Sequence, residues 1–115
     1  MNPGLEISET EQDGVTIITL SGAVDTSSAH LLKTRVGPLC RQQGSRILLD
    51  CASLSYLNSM CMGQFAAFQK TCIQSGGKIV LCNLESTILD VMKLLTLDKV
   101  LTLCATRDEG LMMLG

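Results

Sequence analysis

The sequence has no basic tract. Its nine lysines and arginines are scattered at 33, 35, 41, 46, 70, 78, 93, 99 and 107 against eleven acidic residues, giving a formal net charge of −2 and a pI near 5.2. That balance leaves no electrostatic footprint for nucleic acid, so no nucleic-acid partner is expected. The opening MNPGLEISETEQDG has no basic stretch followed by an apolar one, and no secretory leader is expected in it. No apolar run approaches the roughly 18 residues of a bilayer-spanning helix, so direct membrane insertion is not expected either. These absences together set a cytoplasmic location as the expectation.

Catalytic motifs are missing too. The single histidine, His30, falls beside the apolar stripe of a predicted helix and far in sequence from any candidate nucleophile. A surface or boundary role suits it better than that of a general base. There is no G-x-S-x-G elbow, no Walker loop and no G-x-G-x-x-G. Gly76-Gly77 follows a predicted helix instead of preceding one, which marks a helix stop and turn. The six cysteines, at 40, 51, 61, 72, 82 and 104, include no C-x-x-C pair, and with one histidine they form no zinc-type ligand set. No metal and no other cofactor is expected, and no enzymatic activity. Cys51, Cys82 and Cys104 lie in or at the ends of strand-like runs, and Cys40 and Cys72 on helical stripes. Those five are expected to be reduced core residues.

What is present is a regular alternation of strand and helix patterns. At 115 residues and 46% hydrophobic content the chain suffices for one compact domain, expected over residues 1–115. Leu5–Ser8 reads as a short strand, Gln12-Asp13-Gly14 as a hairpin turn, and Val15–Leu20 as a β-branched strand closed by Ser21-Gly22. Thr26-Ser27-Ser28 offer N-caps to a helix that buries Ala29, Leu32, Val36 and Leu39. Gly37-Pro38 predict a distortion or early stop in it. Arg46–Cys51 is the central strand. A helix over about Met60–Gln74 puts Met62, Phe65, Ala66, Gln69, Cys72 and Ile73 on one side, and Ser75-Gly76-Gly77 stop it. Lys78–Cys82 is a strand, a helix starting near Glu85-Ser86 presents Ile88, Val91, Met92 and Leu95, and Val100–Leu103 is a last short strand. Asp108–Leu114 forms a terminal helix with Leu111 and Leu114 inward. A hairpin followed by strand–helix alternation implies an α/β fold, a mixed sheet of about four to five strands packed by about four helices.

The candidate chemistry is concentrated in Ile47–Gly63, ILLDCASLSYLNSMCMG. An apolar run ends at Asp50, a polar loop follows, and Leu57-Asn58-Ser59 lead into the helix. A hydroxyl at a strand-to-helix junction sits among free backbone N–H groups at the positive end of the helix dipole, where a phosphate is tolerated. Locally, Ser59 is either a helix cap or a phosphate acceptor. Asp25 and Asp50 each end a strand-like run on the Ser59 side if the strands are parallel. Paired there, they could bind a metal or act in acid–base work; capping and loop positioning are the structural alternative and the preferred one. Met60, Cys61 and Met62 form an apolar rim. Met60 and Cys61 are expected partly exposed at a partner surface, with Met62 turned toward the core. One reading of the helix N-terminus gives Cys61 a lowered thiol pKa and a response to oxidation.

Three stretches together resemble the STAS domain, specifically the bacterial anti-sigma factor antagonists. Val15–Ala29, VTIITLSGAVDTSSA, is similar to the family's strand, glycine and aspartate before the first helix, which places that aspartate at Asp25. Ile47–Gly63 resembles its strand, aspartate and "LSFMDSSGLG"-like loop. Gly76–Cys82, GGKIVLC, with Leu84–Leu97 and Val100–Leu103, is similar to its later strand, helix and strand. The resemblance covers nearly the whole chain and implies a single STAS-like domain. It further implies that Ser59 is phosphorylated by a serine-kinase anti-sigma factor, which the unphosphorylated antagonist sequesters so that a sigma factor is freed. Phosphorylation turns binding off, and a protein phosphatase resets it. The implied partner-binding surface is Asp25, Asn58, Ser59, Met60, Cys61 and Met62. The sequence departs from the family pattern at Asn58, where Asp is usual, at Met60, where Ser or Thr is common, and at Cys61, where Gly is usual. Three alternatives stay open: an antagonist that binds constitutively, an unphosphorylated STAS subunit of a membrane-transport ATPase, and a nucleotide-binding STAS module.

Overall fold

A computed structural model describes residues 4–115; residues 1–3 of the expected domain lie outside the described residues. β1 (Leu5–Gln12) and β2 (Val15–Val24) form an antiparallel hairpin. Its two-residue turn holds Asp13 and Gly14 at φ 53° and 80°, the left-handed pair that matches strand twist. β3 (Arg46–Leu57), β4 (Lys78–Cys82) and β5 (Leu103–Cys104) continue the sheet parallel to β2, in spatial order β1-β2-β3-β4-β5. Each parallel step moves one strand in the same direction. Right-handed crossovers therefore lay α1 (Ala29–Arg41), α2 (Ser59–Gln74) and α3 (Ser86–Leu94) on one face.

The main core lies under that face. Leu32, Val36 and Cys40 of α1, Met62, Phe65 and Phe68 of α2, and Ile88 and Met92 of α3 meet Ile18, Leu20, Leu49 and Leu81 of the sheet. On the other face α4 (Arg107–Leu114) sets Leu114 and the half-buried Leu111 against Val15, Ile17, Leu48 and Val80. Gly110 lets it sit close, because a Cβ there would stand 2.5 Å from Leu48 Cδ1. The result is the expected α/β domain, with a five-stranded mixed sheet and four helices.

Several boundaries move. β1 extends past Ser8 to Gln12 because its whole length pairs with β2, from Leu5 opposite Gly22 to Gln12 opposite Val15. β2 runs through Ser21-Gly22, where Gly22 at φ 99° lies against the Gly4 carbonyl. α1 passes through Gly37-Pro38 without stopping, since a glycine before the proline has no Cβ to meet the ring. The buried stripe of α2 is Cys61, Met62, Phe65, Phe68 and Cys72, and Ile73 is 63% exposed. In and after α3, Val91 and Leu95 are exposed; only Ile88 and Met92 turn inward. The last strand begins at Leu103, because a turn of 3₁₀ helix at Leu97–Lys99 occupies the chain before it.

Candidate functional site

The expected polar loop after Asp50 is strand. Between Thr19–Asp50 and Ser21–Ser53, and again between Gly22–Leu54 and Ala23–Tyr56, β3 carries one more residue than β2. Two bulges of this kind bend the strand and reset its facing. Cys51, Leu54 and Leu57 accordingly all point into the core at a spacing of three. The bulged strand ends with Leu57 opposite Val24, and the Asn58 N–H donates to the Val24 carbonyl at 2.8 Å. That bond fixes the start of α2 beside the end of β2.

Asn58 is the helix N-cap. Its Oδ1 accepts the Met60 N–H at 2.7 Å, and its carbonyl accepts the N–H groups of Cys61 at 2.9 Å and Met62 at 3.1 Å. Ser59 is the first residue of α2, exposed, with a hydroxyl that makes no hydrogen bond among the described residues. Met60 is 74% exposed.

Asp25 stands at the neighbouring end of β2 and closes a turn on itself. Its Oδ1 accepts the Ser27 hydroxyl at 2.6 Å, the Ser27 N–H at 2.9 Å and the Ser28 N–H at 3.2 Å. The Ser27 hydroxyl is the largest influence holding this carboxyl below its ordinary value, with the Ser28 N–H adding to it. Ser28, expected as a cap of α1, donates its hydroxyl to the Ala23 carbonyl instead and makes no side-chain cap bond.

The structure thus brings Asp25, Asn58, Ser59 and Met60 to one corner of the surface. It removes Cys61 and Met62 from that rim, because they are 5% and 1% exposed and belong to the core stripe of α2. The Cys61 thiol is not lowered. Burial pushes it up, and the Asp25 carboxylate pushes it further in the same direction. The positive helix end that was to activate it is already capped by Asn58.

Asp50 does not join this corner. It lies opposite Thr19, five residues before Val24, or about 16 Å back along the strand at the usual rise per residue. Its carboxylate accepts the Ala52 N–H at 3.1 Å, the Asn83 Nδ2 at 3.1 Å and the Arg107 Nε at 3.0 Å, with Arg107 Nη2 at 2.9 Å. Burial alone would push this carboxyl up; the Asn83 amide, the Ala52 N–H and the Arg107 guanidinium outweigh it and hold the group below its ordinary value. Asp50 is a latch for α4. The paired-carboxylate reading does not hold.

All six cysteines are free; Cys40, Cys51, Cys72 and Cys82 are buried as expected, whereas Cys104 is partly exposed. Among the described residues no three His, Cys, Asp or Glu side chains are grouped to hold a metal ion, and no helix is long and apolar enough to cross a membrane.

Two features escaped the sequence reading. One is the Arg107–Asp50 bond across 57 residues, which no local pattern announces. The other is a groove of about 380 Å³ between α1 and α2, lined by Lys33, Gly37, Arg41, Met60, Gly63 and Phe68 among others. Near it Gln64 ties the two helices by donating from Nε2 to the Ala29 carbonyl at 3.1 Å. Gly63 inside a helical pattern was the available signal for it.

The model of one family, the STAS domain, matches residues 6–110. The anti-sigma-B factor antagonist of Bacillus subtilis is 24% identical over 110 residues, covering 96% of this chain and 98% of that protein. An anti-sigma factor antagonist from Mycobacterium paratuberculosis superposes with a TM-score of 0.86 at 21% identity, over 96% of this chain and 94% of that one. The Bacillus cell fate determinant SpoIIAA in its phosphorylated form superposes with a TM-score of 0.68 at 15% identity, over 97% of this chain and all (100%) of that one. The two superpositions establish the shared fold.

Proposed function

The chain belongs to the STAS domain family, and from that premise we propose that it is an anti-sigma factor antagonist, a protein-binding switch with Ser59 as its phosphate acceptor. The observation that carries this reading is the Ser59 hydroxyl itself. It is exposed and, among the described residues, without an internal partner, on the first turn of a helix whose start is anchored to β2 through Asn58. A kinase can reach it without unfolding anything. The relatives named above are antagonists, and one of them is known in a phosphorylated form.

In the unphosphorylated state Asp25, Asn58, Ser59 and Met60 form the contact surface for a serine-kinase anti-sigma factor, with Met60 as its apolar element. The partner supplies ATP and the catalytic groups; the Ser59 Oγ–P bond forms as the bond between the β- and γ-phosphates breaks, ADP leaves, and a base of the partner takes the hydroxyl proton. The modification brings about −1.5 to −2 charges to the contact surface, which breaks docking by repulsion and desolvation. The same charge sits at the positive end of α2, so the fold of the antagonist tolerates it. Asn58 keeps the cap that an aspartate would supply and puts no second negative charge beside the phosphate. A phosphatase returns the protein to its binding state, and the whole exchange takes place in the cytoplasm, where sigma factor works.

Binding of two variants to the serine-kinase anti-sigma factors of the same organism tests this. Ser59→Ala is expected to bind as the unmodified protein does, and Ser59→Asp at least tenfold more weakly. Equal affinities would rule out a phosphate-operated switch at this serine.

A further inference from the structure

We propose that the groove between α1 and α2 is a docking site for an acidic, apolar-faced helical segment of a partner protein. The first ground is charge. Between Asp25 and Glu85 the sequence has a single acidic residue, Asp50, and six basic ones: Lys33, Arg35, Arg41, Arg46, Lys70 and Lys78. Asp50 is bound to Arg107 under α4, on the opposite face of the sheet. α1 and α2 therefore carry Lys33, Arg35, Arg41 and Lys70 and no carboxylate. Lys33 and Arg41 line the groove, and neither makes an ion pair among the described residues. Lys33 and Arg41 thus stand together on the groove with no carboxylate supplied by either of its two helices. The acids of the opening hairpin, Glu6, Glu9, Glu11 and Asp13, lie on the edge strand β1 and its turn, and Glu85, Asp90 and Asp98 on α3 and its flanks, off the two helices that wall the groove.

The second ground is Gly63. Glycine in a helix interior destabilises the helix, so it needs a reason. Gly110 has one in Leu48, and Gly37 has one in the following Pro38. A Cβ on Gly63 would meet nothing within 4 Å. The space it leaves opens the groove onto Ala67 and Phe68. An apolar floor from α2 beside a wall of α1 that carries two cations suits a helix with carboxylates along one edge of a small apolar face. It suits a nucleic-acid strand less well, because no aromatic ring is exposed there for a base to stack on. Met60 lines the groove and adjoins Ser59, so a phosphate on Ser59 would offset the positive charge of Lys33 and Arg41 and weaken an acidic occupant. That last step rests on the proposed switch; the groove does not.

The test titrates the ¹⁵N-labelled protein with a synthetic amphipathic helix of leucine and glutamate, with its leucine–lysine counterpart, and with a single-stranded oligonucleotide. The expected result is saturable shifts at the amides of Gly37, Gly63, Ala67 and Thr71 with the glutamate peptide alone. Lys33→Glu with Arg41→Glu, and separately Gly63→Leu, should weaken it at least tenfold while the spectrum stays dispersed. Gly63→Ala should raise the thermal midpoint. Equal response to both peptides, shifts that map elsewhere, preference for the oligonucleotide, or a lowered midpoint for Gly63→Ala would each overturn the proposal. Kinase-dependent phosphorylation of the same variants separates the two readings. Parent protein that fails to bind the glutamate peptide while Ser59 is still phosphorylated defeats the groove alone; parent protein that binds the peptide while Ser59 stays unmodified by the kinase defeats the switch alone.

Discussion

At the Ser59 corner an aspartate, a helix cap and a helical glycine occur together as Asp25, Asn58 and Gly63; at the α4 corner the same kinds of residue recur as Asp50, Thr106 and Gly110. Asp50 reaches across the molecule to Asn83 and Arg107, whereas among the described residues the Asp25 carboxylate bonds only within its own turn, to Ser27 and Ser28. Gly110 is filled by Leu48, whereas Gly63 faces open space. Thr106 Oγ1 accepts the Glu109 N–H at 3.2 Å, and the helix it caps buries Leu114. Asn58 caps a helix whose first residues, Ser59 and Met60, hold their side chains exposed. The α4 corner is satisfied internally and holds the fold together. The Ser59 corner leaves its hydroxyl, its methionine and the nearby cations outward, as a surface that binds something else must.

The strongest way to break this contrast is to remove each aspartate. Asp50→Ala leaves Arg107, Asn83 and the Ala52 N–H without their acceptor and should lower stability by about 2–3 kcal/mol in urea unfolding. Asp25→Ala should leave the urea midpoint close to that of the parent; an equal loss would erase the distinction between latch and local turn. The acid limb sharpens the same point. The folded-state pKa of Asp50 lies below its unfolded value near 3.9, so its contribution is complete above about pH 5 and is lost as pH falls through the unfolded and then the folded value. Asp50→Asn should flatten that part of the stability profile.

The two helical glycines come next, with opposite signs. Gly110→Ala drives a Cβ to 2.5 Å from Leu48 Cδ1 and should destabilise by about 1–2 kcal/mol. Gly63→Ala, with no neighbour to displace, should stabilise by about 0.5–1 kcal/mol, a rise of a few degrees in Tm. Two changes of the same sign would mean that α2 is packed as tightly there as α4 is.

The α/β class, the element order and most of the core were legible because period-2 and period-3.6 patterns report on burial directly. Ile47–Leu49 and Leu32/Val36 needed no partner to be recognised. The end of β3 was not legible. Its bulges spread Cys51, Leu54 and Leu57 at intervals of three, which looks like a polar loop to any test of strict alternation. Ser59 and Asn58 could be placed from local chemistry, since capping depends on neighbours in sequence. Met62 turns inward as its helical spacing predicts and so drops out of the implied partner surface; Cys61 could not be placed, because the phase of α2 on the sheet decides which side chains point inward. Asp50 was misplaced for a similar reason: its partners, Asn83 and Arg107, lie 33 and 57 residues away.

Ser59 is the proposed acceptor, and intact-mass analysis after incubation with ATP and a serine-kinase anti-sigma factor from the same organism tests that assignment. The predicted result is one added phosphate, mapped to Ser59 and absent from Ser59→Ala. A phosphate on another residue, or a stable complex that forms and persists without any phosphate, would contradict it.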